Sequence, residues 1–328
     1  MPGHKGLMRR FSSVVIGLGQ IGQGYDYDCQ DDAYILTHAT GFTYHDGYEL
    51  IAGVDPDKVQ CERFEKKFGQ PAYTDVQTLL SQHQPEVIAI AVPTSLHYQV
   101  FQEVMSCQPR AVLCEKPIAT CVGDAKNMLS LAEENHCALV VNYIRRFEPG
   151  VLALKRTIQS GDLGEIYKGT VWYSKGLLNN GSHFVDLLRF LLGEVTNIQI
   201  IEKGRKWDGK DPEPDVCLRF GQTSVCFLAA REECFSIGEI VLIGTQGMIH
   251  YAGGGGVIEV RKTQPDTVYR GYTILNQAKQ TIPTASNRYQ WHVLEALYHH
   301  LTEKTPLNSD GKSASETLAV IEVVFELL

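Results

Sequence analysis

The chain has 328 residues, 44% hydrophobic and 21% charged, a mix that excludes disordered, collagen-like and coiled-coil proteins and suggests two domains. A formal net charge of -8 argues against a nucleic-acid-binding face, which needs clustered cations, and gives no reason for attraction to an anionic membrane. Nine cysteines include no Cys-x-x-Cys pair, so zinc-ribbon and thioredoxin readings fall away and free thiols in a reducing compartment are expected.

At the N-terminus Lys5, Arg9 and Arg10 precede the apolar run Phe11 to Ile16. That run is too short for the apolar region of a signal peptide, and glycines follow it at once, so it reads as the first β-strand of a cytoplasmic protein. The first half then alternates strand and helix signals, the mark of a parallel sheet with crossover helices. Val14 to Ile16 is a strand ending at Gly17, and Leu50 to Val54 a second ending at Asp55. Phe64 and Phe68 recur one helical turn apart in a charged stretch stopped by Gly69. Val87 to Val92, Ala111 to Cys114 and Ala138 to Val141 are further strands, with helices over Leu96 to Met105 and Asp124 to Glu134 between them.

The second half changes character. Pro149 to Gln159 and Ser182 to Leu192 read as helices, the latter stopped by Gly193. Strand-like runs cover Ile166 to Ser174, Val195 to Glu202, Val216 to Phe220, Ser224 to Ala230, Glu239 to Ile243 and Met248 to Tyr251, joined mainly by hairpin-type connections that favour an antiparallel sheet. Helices over Tyr289 to Thr302 and from Ala314 onward finish the chain. A boundary near 143–150 divides a Rossmann-type domain (1–146) from a second α/β domain (147–328).

Gly17-Leu18-Gly19-Gln20-Ile21-Gly22 places G-x-G-x-x-G directly after a strand. The first glycine permits a tight turn, the second lets a pyrophosphate approach the backbone, and the third lets the following helix pack closely. Gln20 and Ile21 join the expected cofactor set. Asp55 stands at the end of the next strand, placed to accept hydrogen bonds from an adenosine ribose and to repel a 2′-phosphate, so NAD is expected over NADP. Asp55 lies 33 residues beyond Gly22, where about 20 is usual. The surplus, residues 23–36, predicts an insertion that interrupts or delays the first helix.

Ala91-Val92-Pro93-Thr94-Ser95-Leu96-His97, Cys114-Glu115-Lys116-Pro117, Asn142-Tyr143-Ile144-Arg145-Arg146-Phe147-Glu148-Pro149 and Gly181-Ser182-His183-Phe184-Val185-Asp186, in that order with the glycine turn, make the chain resemble the glucose-fructose oxidoreductase / inositol dehydrogenase / rhizopine-catabolism (Gfo/Idh/MocA) oxidoreductase family. The resemblance runs from about residue 12 to the C-terminus. It implies a Rossmann domain followed by an α/β domain with an open-faced, mainly antiparallel sheet, and an NAD(P)-dependent dehydrogenase or reductase acting on a sugar or cyclitol carbon. By position it makes Lys116 the catalytic lysine and His183 the catalytic histidine. It places Pro93, Thr94, His97, Glu115 and Asn142 around the nicotinamide side of the cofactor.

Many family members carry an aspartate four residues before the histidine; here the position is Asn179. A neutral amide cannot stabilise an imidazolium as a carboxylate does, which shifts the acid–base role towards Lys116 with His183 and Asn179 assisting. Asp186 could supply the missing charge, or serve only as an acid in the first turns of its helix. Lys175, Arg145 and Arg146 are candidates for binding an anionic substrate, or ordinary surface cations. Gly253 to Gly256 reads as a hairpin turn, and His299-His300 as no metal site.

The sequence thus predicts sugar-type hydride transfer, with an activated sugar of surface-polysaccharide synthesis or a free sugar or inositol as substrate, in a homodimer or homotetramer. A non-catalytic sensor, similar to the galactose-regulon repressor of yeast, is the alternative from another class.

Overall fold

The computed structural model describes residues 9–29 and 31–328, so Lys5 lies outside it. The chain divides into two compact units, residues 1–144 with 287–316, and residues 145–286 with 317–328.

The first unit is built on strands β1 (Phe11–Ile16), β2 (Tyr48–Val54), β3 (Ala72–Tyr73), β4 (Val87–Ile90), β5 (Ala111–Cys114) and β6 (Ala138–Val141), interleaved with helices α1 (His38–Tyr44), α2 (Lys58–Phe68), α3 (Val76–Gln82), α4 (His97–Val104) and α5 (Val122–Glu134). All strand pairs are parallel, in the order β3-β2-β1-β4-β5-β6. β4 and β5 are buried along their whole length, as strands covered on both faces must be. The order reverses between β1 and β4, and this is where such a sheet opens its ligand crevice. Helix starts are set locally: Thr37, Asp57 and Asp75 accept hydrogen bonds from backbone amides of α1, α2 and α3. Gly69 closes α2 in the left-handed conformation with φ +67°.

The expected insertion has a definite form. The chain leaves the glycine turn as a short π-helical turn over Gln20–Gly24, and α1 begins only at His38. Buried Asp26 holds the intervening segment: its carboxylate accepts hydrogen bonds from the amides of Leu36 and Thr37 at 2.7 and 3.0 Å and from the hydroxyls of Thr37 and Thr40 at 2.7 and 2.9 Å. A carboxylate saturated with four donors ties Asp26 to Leu36, Thr37 and Thr40.

The second unit contains α6 (Pro149–Gln159), β7 (Ile166–Tyr173), α7 (Ser182–Leu192), β8 (Val195–Trp207), β9 (Asp211–Phe220), β10 (Thr223–Ala229), β11 (Gly238–Gly244), β12 (Gly247–Ala252), β13 (Val257–Pro265), β14 (Thr273–Leu275) and β15 (Gln280–Ile282). They form a nine-stranded sheet ordered β14-β13-β12-β11-β7-β10-β9-β8, with β15 also on β13. Every pair is antiparallel except β7 with β10. One sheet face packs with Val151 and Leu154 of α6 and Val185 and Leu188 of α7 into a single core. The other face is open and shows Tyr167, Trp172 and Ile201 to solvent. Strands β13 to β15 went unread in the sequence, because polar residues interrupt their alternation.

Two helices complete the chain, α8 (Tyr289–Glu303) and α9 (Gly311–Leu327). α8 groups with the first unit, and α9 contributes residues 311–316 to the first unit and its remainder to the second.

Candidate active site

The three glycines of the turn do three different things. Gly17 has φ +95°, and a Cβ there would stand 2.5 Å from the backbone of Ala91 at the end of β4. A Cβ on Gly22 would come 2.0 Å from the carbonyl oxygen of Gly17, so this glycine lets the π-helical turn close on the strand end. Gly19 differs from both: a Cβ there meets no atom within 4 Å. Among the described residues no atom requires a glycine at 19, and the space it leaves open is where a bulky group can approach the backbone. Gly19 and Gln20 are exposed and Ile21 half-buried. These features fit a dinucleotide pyrophosphate.

Asp55 is fixed beside the turn. Its Oδ2 accepts a hydrogen bond from the Leu18 amide at 2.8 Å and its Oδ1 one from the Asp57 amide at 2.9 Å. The carboxylate is half-buried at the end of β2, with acceptor capacity left on both oxygens.

At the end of β5 the structure assembles a buried polar cluster. Glu115 Oε1 accepts a hydrogen bond from Asn142 Nδ2 at 2.6 Å and lies 2.9 Å from His38 Nε2; Oε2 accepts from the Lys116 amide at 3.3 Å. Burial opposes ionisation of Glu115, but its contacts with His38, with Asn142 and with the Lys116 charge outweigh it and hold the carboxyl below the usual range. The other ring nitrogen of His38, Nδ1, is buried and without a hydrogen-bond partner among the described residues. Asn142 Oδ1 is likewise buried and unsatisfied. Lys116, half-buried, follows Glu115 directly, and the Lys116–Pro117 peptide is cis.

Pro93 is exposed and Thr94 half-buried just beyond β4. His97 is buried, with Nε2 3.0 Å from the Val92 carbonyl and Nδ1 3.0 Å from that of Pro117. Its ring joins the loop after β4 to the turn carrying Lys116 and faces backbone rather than open space. Burial pushes its pKa down, against the backbone carbonyls that favour the charged form.

In the second unit, Lys175 at φ +68° introduces a π-helical turn over Gly176–Gly181 that runs into α7. Asp211 on β9 caps this turn, accepting hydrogen bonds from the amides of Leu178 and Asn179 at 3.0 and 2.8 Å. A Cβ on Gly176 would overlap the Asp211 carboxyl, so the glycine is required there. The Asn179 side chain donates to the Lys175 carbonyl at 3.1 Å, and His183 is half-buried in the first turn of α7. Asp186 turns away from any role as the missing carboxylate: it is buried, accepting from Arg146 Nε at 2.7 Å and from Thr317 Oγ1 at 2.9 Å. That pair also removes Arg146 from the candidate anion ligands. Lys175 lies 3.5 Å from Glu232 in a half-exposed pair.

From sequence, Asp26 and Asp211 carry no assigned role, and His38 stands out only with Thr37, as a likeness to oxidoreductases of activated sugars. The signal for His38 is Thr37, a helix-capping residue immediately before it at the end of the polar insertion. The other two act through backbone contacts that no local pattern announces.

Residues 11–143 match the Gfo/Idh/MocA oxidoreductase family, with its NAD-binding Rossmann fold. This NAD-binding segment lies within the first unit. The chain is similar to D-apiose dehydrogenase of Paraburkholderia graminis, 25% identical over 58% of this chain and 52% of that protein, so the match spans about half of that relative. D-apiose dehydrogenase of Rhizobium rhizogenes is 24% identical over 85% of this chain and 88% of its own length. Among solved structures, the WlbA dehydrogenase of Bordetella pertussis, in complex with NADH and UDP-GlcNAcA, superposes with a TM-score of 0.76 at 19% identity, covering 97% of this chain and 95% of that one. Among the described residues no helix is long and apolar enough to cross a membrane, and no cluster of three or more His, Cys, Asp or Glu could hold a metal ion.

Proposed function

We propose that the protein is an NAD-dependent oxidoreductase that interconverts a secondary alcohol and a ketone on a sugar or sugar derivative. The observation that carries this reading is the pairing, within one sheet, of an open glycine turn at Gly19 with a lysine anchored by a buried polar cluster at the end of β5. NAD supplies the hydride acceptor when bound. Gly17, Gly19, Gln20, Ile21 and Gly22 would hold its phosphates, Asp55 its ribose, and Pro93, Thr94, Glu115, Lys116 and Asn142 the nicotinamide side. The unsatisfied Asn142 Oδ1 suits a donor such as a carboxamide.

In the oxidative direction Lys116 accepts the proton of the carbinol O–H while the C–H hydrogen leaves as hydride, so a carbonyl remains. In the second unit His183 and Asn179 are the candidates for holding the substrate, and with Asp186 committed to Arg146 no carboxylate relay through that residue supports His183. Lys116 therefore carries the acid–base role. The likeness to D-apiose dehydrogenases and to a fold neighbour in complex with UDP-GlcNAcA supports sugar chemistry of either the free or the nucleotide-linked kind.

Asp55 favours NAD over NADP, because its carboxylate is pinned by two backbone amides and cannot swing away from a 2′-phosphate. Nine free cysteines suit a cytoplasmic, reducing setting. The open sheet face, with Trp172 and Ile201, suits a homodimer or homotetramer. The test is a side-by-side titration with NADH and NADPH followed by cofactor fluorescence, then a sugar panel followed at the nicotinamide absorbance. NADH binding at least about tenfold tighter than NADPH, with hydride transfer to a sugar, is the expected result. Cofactor binding without turnover of any sugar would favour the sensor alternative.

A further inference from the structure

Gly253 and Gly254, the first half of the four-glycine run 253–256, form part of the wall of a cavity of about 300 Å³ in the second unit. The cavity is lined by Arg145, Asn180, Phe184, Glu239, Gly253 and Gly254 among others. Asn180 and Phe184 flank His183 in the chain, so the cavity adjoins the start of α7. Gly253 and Gly254 have φ +59° and +63°, a conformation that excludes ordinary side chains and keeps this wall bare.

Arg145 is held in place before any ligand arrives. Its Nε donates to the Tyr251 hydroxyl at 3.1 Å, that hydroxyl donates to the Gly254 carbonyl at 2.8 Å, and the guanidinium lies 5.3 Å from the Phe184 ring centroid. Among the described residues no carboxylate lies within ion-pair distance of it. Glu239, the acid that shares the cavity, instead lies 3.5 Å from His250 Nε2. The two terminal nitrogens of Arg145 are thus a rigid fork not spent on a protein anion. Such a fork matches two oxygens of a carboxylate or phosphate.

We infer that this cavity is the specificity subsite for an anionic substituent of the substrate, with Arg145 gripping a carboxylate or phosphate and Glu239 accepting from a sugar hydroxyl. The inference rests on the dehydrogenase reading of the neighbouring His183 and narrows its substrate to an acidic or phosphate-bearing sugar.

Calorimetric binding on the full chain tests it, with UDP-N-acetylglucosamine, glucuronate, and neutral N-acetylglucosamine and glucose as probes. At least one anionic probe is expected to bind, more weakly as salt is raised, and the neutral sugars at least about tenfold more weakly. Which anionic probe binds separates phosphate from carboxylate recognition. Arg145→Gln should weaken the anion by about 30-fold or more, and Arg145→Lys, which keeps the charge but loses the fork, by less. Glu239→Gln, which loses the charged acceptor for the sugar hydroxyl, should weaken the anionic sugar that binds by about threefold or more, and so reports on the site even if a change at Arg145 disturbs folding. Binding of neither anionic probe, or equal affinity for neutral sugars with no loss in Arg145→Gln, overturns the inference. Hydride transfer is read separately: turnover of neutral sugars alone rejects the subsite and leaves the dehydrogenase reading standing. Anion binding without turnover of any probe does the reverse.

Discussion

Replacing His38 by alanine tests whether the buried cluster behind Lys116 is held by charge or by shape. Glu115 is only 9% exposed, and its carboxylate keeps a low pKa because His38, Asn142 and the Lys116 charge together outweigh the penalty of burial. His38 is the first of those compensating partners. A hydrogen bond to a charged group contributes about 1.5–3 kcal/mol, and stripping every partner from a buried ion costs about 3–5 kcal/mol. Asn142 and the Lys116 amide remain in the variant, so the loss belongs at about 2 kcal/mol for the interaction, to which the cavity left by the ring adds.

The interaction is isolated by a double-mutant cycle with Glu115→Gln, from urea unfolding followed by circular dichroism. We expect a coupling energy of at least about 1.5 kcal/mol at pH 7. The pH dependence has a definite sign. A carboxyl whose pKa is depressed on folding contributes stability above its unfolded value, and that contribution is lost as pH falls through the folded value. The destabilisation caused by His38→Ala should therefore be largest at neutral pH and shrink in the acid range, below the ordinary carboxyl pKa. Coupling below about 0.5 kcal/mol, or a deficit that does not change with pH, would show that His38 only fills space and would refute the charge argument.

Three further outcomes follow from the geometry. Gly19→Ala should leave the melting temperature within about 1 °C of wild type yet weaken NADH, since its Cβ meets only open space, whereas Gly22→Ala should lower both because of its 2.0 Å approach to the Gly17 carbonyl; equal melting losses would contradict the distinction. Lys116→Ala should cut turnover by about 10²–10⁴ with NADH affinity retained, and turnover within about tenfold of wild type would remove Lys116 from the acid–base role. Asp55→Ala should narrow the preference for NADH over NADPH, measured as the ratio of the two dissociation constants, and an unchanged ratio would detach cofactor choice from this carboxylate.

Elements whose identity is set within a few residues were legible. The ranges Pro149 to Gln159 and Ser182 to Leu192 coincide with α6 and α7, because Pro149 opens the first and Gly193 stops the second. The parallel sheet was legible because strands buried on both faces, such as Val87 to Ile90, carry no polar residue. The glycine turn was legible for the same local reason, and so was the delay of the first helix, which a residue count revealed. What the count did not reveal was the purpose of the delayed start. His38 reaches Glu115 across a sequence separation of 77 residues, and no periodicity encodes such a pairing.

Position 179 shows how far a local reading can go before the fold must answer. Replacing the family's usual aspartate by Asn179 removes a carboxylate from the turn ahead of His183, and sequence offers Asp186 as compensation because it sits nearest along the helix. The structure commits Asp186 to Arg146 and Thr317 instead, deep in the core of the second unit. Two acids of β9 do reach the turn: Glu213 accepts from the Gly176 amide, and Asp211 from the backbone amides of Leu178 and Asn179. Burial raises the pKa of Asp211, partly offset by those amides. Asp211 therefore shapes the turn that presents Asn179 and His183. With the helical acid locked away and the acids of β9 bound to backbone, the dehydrogenase proposal assigns the proton of the reacting hydroxyl to Lys116, which the Lys116→Ala variant tests.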